Sequence, residues 1–296
     1  MNLSNQSISE VLFSCEAIKV APVDSPFLYT SGLIGPFYVN THYLCGGKEA
    51  SERVLGEINL LQVKPSELIG KLPAVILEVL DASSVYQEVM NRLEVVAKGI
   101  VANSSISYIS GGQRRDWFFS IPLAKMLNIP HLYLFNDKRI FTEDALPFET
   151  TSSKVSSLHV ADLLTVGSSY LSKWIPALED RGVNIAASLN CVDRNQGGKS
   201  NLEEAGISDV RSLCVLEAAL FEDAQSKGLL TNEQLQMIKD YQKNPYEAMR
   251  VFLKRTPEFI INAIKADEKS RSRIELTIQN DLYELGADFL SAFKSI

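Results

Sequence analysis

The stretch LHVADLLTVGSSY, residues 158–170, gathers residue types that suit a sugar phosphate. An apolar run delivers one acid, Asp162, and is followed by Thr165, Val166, Gly167, Ser168 and Ser169. Small residues let an anion approach the backbone, and the free N–H groups and hydroxyls of a helix N-terminus suit a phosphate dianion. Asp162 cannot itself touch phosphate, but it is well placed to accept hydrogen bonds from ribose hydroxyls. A plain buried strand with a polar helix cap would carry the same letters, so this segment alone leaves both readings open. The chain has no GxxxxGK[ST] and no GxGxxG, which disfavours nucleoside triphosphate and dinucleotide sites.

A cradle of this kind works only at the carboxyl end of a strand in an open α/β sheet. The surrounding pattern predicts one. SISYIS (105–110), HLYLF (131–135), LHVADLL (158–164) and NIAASLNCV (184–192) read as strands. The loop GGQRRD and the helix WFFSIPLAKMLN separate the first two, and the helix SSYLSKWIPALEDRG separates the last two. Strands alternating with helices imply a parallel sheet covered on both faces. The polar segment 136–157 is long for a connection and is a candidate lid. Upstream, the spacing predicts a helix over 8–20, a hairpin over 27–40, and two helices over 65–98 broken near 81–84. After about residue 205 the strands stop, and capping signals at Thr231–Gln234, Asn244–Pro245 and Thr256–Pro257 predict four or five helices. The expected division is an α/β domain over 1–207 and a helical extension over 208–296.

Of the 296 residues, 46% are hydrophobic and 22% charged, enough for a sizeable core. The net charge of −7 argues against non-specific binding to nucleic acid or a membrane surface. Four cysteines lie far apart with no CxxC pair, which suits reduced thiols. His42 and Cys45 form one H-x2-C pair with no second to complete a zinc site. The N-terminus lacks signal-peptide features, and no apolar run reaches the roughly 18–20 residues a membrane helix needs. A soluble, cytoplasmic protein is expected.

LHVADLLTVGSSY resembles the phosphoribosyl diphosphate (PRPP) signature of type I phosphoribosyltransferases, in which a strand gives two acids, an aliphatic pair and a Thr/Gly/Ser-rich turn. Three further segments agree in chain order with the orotate members of that family. TSGLIGPFYVN (30–40) is similar to their N-terminal pyrimidine-contacting segment. YISGGQRRDWFFSIPLAKMLNIPHLYLF (108–135) is similar to their glycine-led pyrophosphate loop with its following helix and next strand. CVDRNQGGKSNLEEAGI (191–207) is similar to their VDR-x-x-GG segment.

The resemblance implies an α/β, parallel-sheet, type I phosphoribosyltransferase fold with an N-terminal hood segment and an all-helical C-terminal extension. It implies transfer of the phosphoribosyl group of PRPP to a pyrimidine-like base, orotate first, with release of pyrophosphate. Phe37 and Tyr38 would flank the base, with Thr165 beside it and Arg194 on a substrate carboxylate. Gly111 and Gly112 would turn amides toward pyrophosphate, and Arg114 and Arg115 would add positive charge. Asp162 would hold ribose hydroxyls, residues 165–169 the 5′-phosphate, and Lys138 and Arg139 of the lid the departing pyrophosphate. Mg²⁺ would be held mainly by PRPP and pyrophosphate, with no protein ligand assigned. The family's lid serves the neighbouring subunit, so a homodimer is implied.

Three positions depart from the family. Ala161 stands in place of the first acid, Thr30 in place of a lysine, and the lid lacks histidine and glycine. These departures motivate a second expectation: a weakened protein of the same fold that binds PRPP or a nucleotide as a regulator.

Overall fold

The computed structural model describes residues 6–150 and 154–293. Ser7 opens helix α1 (Ile8–Ser14) with a capping box, its hydroxyl accepting from Glu10 N–H while the Glu10 carboxylate accepts from Ser7 N–H. The helix expected to reach residue 20 ends here instead. Glu16 adopts a left-handed φ of 56°, and Ile18–Val20 leaves as strand β1. Strands β2 (Phe27–Leu28) and β3 (Ile34–Gly35) form the expected hairpin, whereas β4 (Phe37–Val39) pairs antiparallel with β1.

A 3-10 turn over Thr41–Cys45 leads to three helices, α2 (Lys48–Leu61), α3 (Pro65–Ala82) and α4 (Ser84–Asn103). Helix α2 is an addition to the expected pair. The break between α3 and α4 falls at Ser83, whose hydroxyl accepts from Tyr86 N–H as the cap of α4.

Next come β5 (Tyr108–Gly112), α5 (Trp117–Leu127), β6 (His131–Leu134), β7 (Ile140–Phe141) and β8 (Val155–Leu164). A π-helical turn, Tyr170–Trp174, runs into α6 (Ile175–Glu179), followed by β9 (Val183–Asp193), α7 (Gly198–Glu204) and β10 (Asp209–Val215). Six strands make one sheet in the order β10-β9-β8-β5-β6-β7, parallel except for β7. The expectation that strands end near residue 205 is corrected by β10. Only Leu216 and Glu217 lie between it and the helix after it, with no Gly or Pro to mark the boundary, and pairing along β9 is what defines the strand.

The sheet's faces are closed by apolar burial. Trp117, Phe118 and Phe119 on α5 are fully buried, and burying each phenylalanine contributes roughly 1.5–3 kcal/mol. Cys15, Cys45, Cys191 and Cys214 are all buried and unbridged.

Helices α8 (Ala218–Ser226), α9 (Asn232–Lys243), α10 (Pro245–Arg255), α11 (Glu258–Lys265), α12 (Glu268–Gln279) and α13 (Ala287–Ser291) follow. The capping signals at Thr231 and Asn244 are realised as side-chain bonds to Gln234 and Glu247 amides. The chain groups into two compact units. One holds residues up to Ala17 with Asn40–Leu216, the other Ile18–Val39 with Glu217 onward. The hood segment thus groups with the helical extension, a division different from the expected cut at 207. The second unit has its own core, in which Ile34 packs with Phe252, Ile260, Ile274 and Tyr283. Among the described residues, no helix is long and apolar enough to cross a membrane.

Candidate functional site

The sheet order places the site. Chain order runs β5, β6, β7 and then back past β5 to β8, so the direction of winding reverses between β5 and β8. At such a switch point the connections leave in opposite directions and open a crevice at the carboxyl ends of the strands. A cleft of about 330 Å³ lies there, walled by the segment after β5 (Gln113–Asp116) and the segment ending β8 (Ala161 to Ser169), with Asn136, Tyr170 and Trp174.

The turn after β8 has the expected form. Gly167 adopts φ 76°, and the N–H groups of Gly167, Ser168 and Ser169 find no backbone acceptor among the described residues. Val166, Ser168 and Ser169 are exposed, and Thr165 is half-buried. Asn201 Nδ2 pins the turn through Val166 O at 2.9 Å, and Arg194 N–H ties the end of β9 to Leu164 O at 2.8 Å. The π-helical turn beyond it directs both Tyr170 and Trp174 inward, and such turns often mark functional sites. Tyr170 Oη donates to Asn190 Oδ1 at 3.0 Å and lies 2.7 Å from Ser188 Oγ, so the cleft stands on a satisfied polar network.

Asp162 is buried at the cleft floor, and Thr41 Oγ1 donates to its Oδ2 at 2.5 Å. Asp116, absent from the expected site residues, lies beside it. Asp116 Oδ1 accepts from Asp162 N–H at 3.1 Å, and Oδ2 accepts from Gly112 N–H at 3.1 Å. Burial first, and the neighbouring Asp162 charge second, push the Asp116 carboxyl well above the usual carboxylate range. A signal is present in the sequence: Asp116 occupies the N-cap of α5 directly after two arginines, inside the glycine-led loop.

The other expected residues distribute unevenly. Arg114 and Arg115 are exposed on the cleft wall, and Arg114 Nη1 donates to Asn59 Oδ1. The Gln113–Arg114 peptide is cis. Gly112 does not present a free amide, because Asp116 engages it. The two glycines are required for close packing instead. A Cβ on Gly111 would collide with Ser120, and one on Gly112 would sit 2.5 Å from the Trp174 ring.

In the lid segment, Phe141 bridges to Pro147 and β7 pairs with β6, so the first part is sheet edge rather than open loop. Arg139 pairs with Asp137 at 2.8 Å and lies over the Phe135 and Phe141 rings. Lys138 is exposed at φ 68°, and neither cation lines the cleft. Residues 151–153 of the segment lie outside the described residues.

Phe37 is a core aromatic of the second unit, 5.3 Å from Phe221 and 6.1 Å from Tyr241. Tyr38 packs on Phe27 and Tyr29, with its hydroxyl donating to Leu28 O. Arg194 is half-buried, and its guanidinium is unengaged among the described residues. No group of three or more His, Cys, Asp or Glu side chains suited to a metal occurs among the described residues.

No protein-family model matches the chain. Over 176 residues it is 26% identical to the orotate phosphoribosyltransferase of Sulfurisphaera tokodaii, covering 58% of this chain and 86% of that one. Among solved structures, Leishmania donovani UMP synthase superposes with a TM-score of 0.53 at 14% identity, covering 81% of this chain. The chain spans 42% of that structure's length. The fold is that of the type I phosphoribosyltransferases. The orotate phosphoribosyltransferase of Aeropyrum pernix is a further neighbour, at a TM-score of 0.48 and 19% identity over 74% of this chain and 99% of that one.

Proposed function

We propose that the chain transfers the phosphoribosyl group of PRPP to a pyrimidine-like base, orotate foremost, releasing pyrophosphate. The observation that carries this reading is one cleft in which a phosphate-ready turn, residues 165–169, follows the buried carboxylate Asp162 by three residues. Similarity to the S. tokodaii orotate phosphoribosyltransferase supports the reaction class. The choice of orotate rests on the resemblance of the 30–40 and 191–207 segments.

In this reaction the bond from the anomeric carbon to pyrophosphate breaks, its electron pair leaves with pyrophosphate, and the base nitrogen forms the new bond. The transition state carries positive charge on the ribose ring. Positioning and electrostatics therefore do most of the work. The amides of Gly167, Ser168 and Ser169 would fix the 5′-phosphate, Asp162 the ribose hydroxyls, and Arg114 and Arg115 the charge that builds on pyrophosphate. Thr41 keeps Asp162 oriented. Asp116 and Asp162 are the cleft's carboxyls, and no metal-suited group of three or more His, Cys, Asp or Glu occurs among the described residues, so this donor set fits Mg²⁺ when phosphate oxygens of the substrate complete its shell. Bound there, the ion would neutralise leaving-group charge. A cytoplasmic homodimer is part of the same proposal.

The positions of Lys138 and Arg139 favour a second reading, in which the cleft binds PRPP or a nucleotide without turnover. The test is pyrophosphate release from PRPP with Mg²⁺ and a panel of orotate, uracil and purine bases, alongside calorimetry with PRPP. Release with one base supports the transferase. Tight PRPP binding with no release supports the regulator, and absence of both overturns each.

A further inference from the structure

Side chains alternate along β8, so His159 and Ala161 project from the same face of the sheet. Ala161 is buried there with Leu134, Tyr170 and Trp174, and the His159 ring packs 4.7 Å from Tyr170 and 6.4 Å from Trp174. Asp116 reaches this face from the loop after β5. A Cβ on Gly112 would lie 2.7 Å from Asp116 Oδ2, against the same tryptophan, and His159 Nε2 is 3.8 Å from that oxygen. Its other oxygen takes the N–H of Asp162. The Asp116 carboxyl therefore fills the space beside Asp162 where residue 161 offers only a methyl group.

The ordinary reason for an aspartate at this position is missing. Asp116 is the N-cap of α5, yet its side chain makes no capping bond and turns to Gly112 and Asp162 instead. His159 is an independent sign. It is fully buried, its Nδ1 lies 3.0 Å from Ser110 Oγ, and Ser110 in turn donates to Ser157. That relay assigns the ring proton to Nδ1 and leaves Nε2 as a bare acceptor, which has no hydrogen-bond partner and faces Asp116. The two atoms are 3.8 Å apart, too far for a hydrogen bond, and burial keeps the imidazole neutral, so Asp116 meets no cation on this side.

We propose that Asp116 is the second carboxyl of a hydroxyl-binding pair with Asp162, serving the ribose hydroxyls of the phosphoribosyl ligand in place of an acid at position 161. The proposal rests on the phosphoribosyl reading of the cleft. Burial, and then the neighbouring Asp162 charge, raise the Asp116 carboxyl well above the usual carboxylate range, which lessens the repulsion a phosphate dianion meets on the neighbouring turn.

Calorimetry on the full chain with two probes, PRPP and inorganic phosphate, tests this. Asp116→Asn should weaken PRPP binding tenfold or more and leave phosphate affinity within twofold. The double variant Asp116→Ser/Ala161→Asp, which returns the carboxyl to the strand, should recover most of the lost affinity. If the unaltered protein binds PRPP and Asp116→Asn binds it equally well, this proposal falls and the phosphoribosyl reading stands. If the unaltered protein fails to bind PRPP, that reading falls and takes the proposal with it. Carbon-13 carboxyl NMR on the unaltered protein removes any dependence on the variants folding. The Asp116 resonance should move on adding PRPP and stay put with phosphate, and a resonance indifferent to PRPP overturns the assignment.

Discussion

Thr41 Oγ1 donates a 2.5 Å hydrogen bond to Asp162 Oδ2, joining two buried residues 121 positions apart. The bond fixes the rotamer of the one carboxylate that both readings of the cleft depend on. Thr41→Val keeps the shape and removes the donor. A charge-assisted hydrogen bond of this kind is worth about 1.5–3 kcal/mol. Denaturant melts should show a loss of that order, and PRPP affinity should fall with it.

Gly167 governs the turn. At φ 76°, an added Cβ would meet strain of about 1–2 kcal/mol and approach Leu202 Cδ2 at 3.3 Å. Gly167→Ala should weaken binding of inorganic phosphate about tenfold, measured by calorimetry, with a modest drop in melting temperature. Gly198→Ala should be worse for stability. Its Cβ would collide with the Thr165 carbonyl and come 2.7 Å from the Leu164 side chain.

All three histidines are buried and neutral in the fold. Burial lowers His131 and His159 to about 3, while burial and then the charge of Arg115 lower His42 to about 4. The unfolded chain protonates them near 6.5. Stability from these groups is therefore complete above pH 6.5 and drains away as pH falls toward 4. Each fully buried histidine should cost about 2 kcal/mol at pH 5. Urea melts from pH 7 to 4.5 should show this slope, reduced by about one proton in His131→Asn.

Arg115 stands on the cleft wall and depresses His42 through its charge. In Arg115→Gln the His42 resonance should titrate at higher pH than about 4, as followed by proton NMR. PRPP affinity should drop several-fold and depend less on salt, because an exposed cation at the mouth acts through a screened field.

The phosphate turn is legible in the sequence because its information is contiguous. A strand, an acid, a glycine able to take positive φ and two serines stand within a dozen letters, and the alternating pattern around them implies a sheet with a carboxyl edge. The companion residues are not legible in the same way. The two arginines and the glycine-led loop before Asp116 mark it only weakly, because its partner Asp162 meets it only after β5 and β8 pair. Thr41 is silent for the same reason. Phe37 carries an aromatic motif, yet the packing of Phe221 and Tyr241 decides where its ring goes. Strand β10 is hidden because DVRSLCV is short and runs with only Leu216 and Glu217 between it and the apolar start of α8, so no turn residue marks where strand ends and helix begins. Helix α1 reads as longer than it is because an apolar tail continues past the left-handed Glu16.

The four cysteines carry a practical consequence. All lie in the unit that holds the cleft, and the unit built on Ile34 and Phe252 contains none. Burial lifts the Cys15 thiol to about 11 and Cys45 to about 12, far from the reactive thiolate form. A thiol-specific alkylating reagent thus has nothing to attack while that unit is folded. Its labelling rate, read by mass spectrometry, becomes a clock for exposure of the cleft-bearing unit, since no cysteine lies in the other.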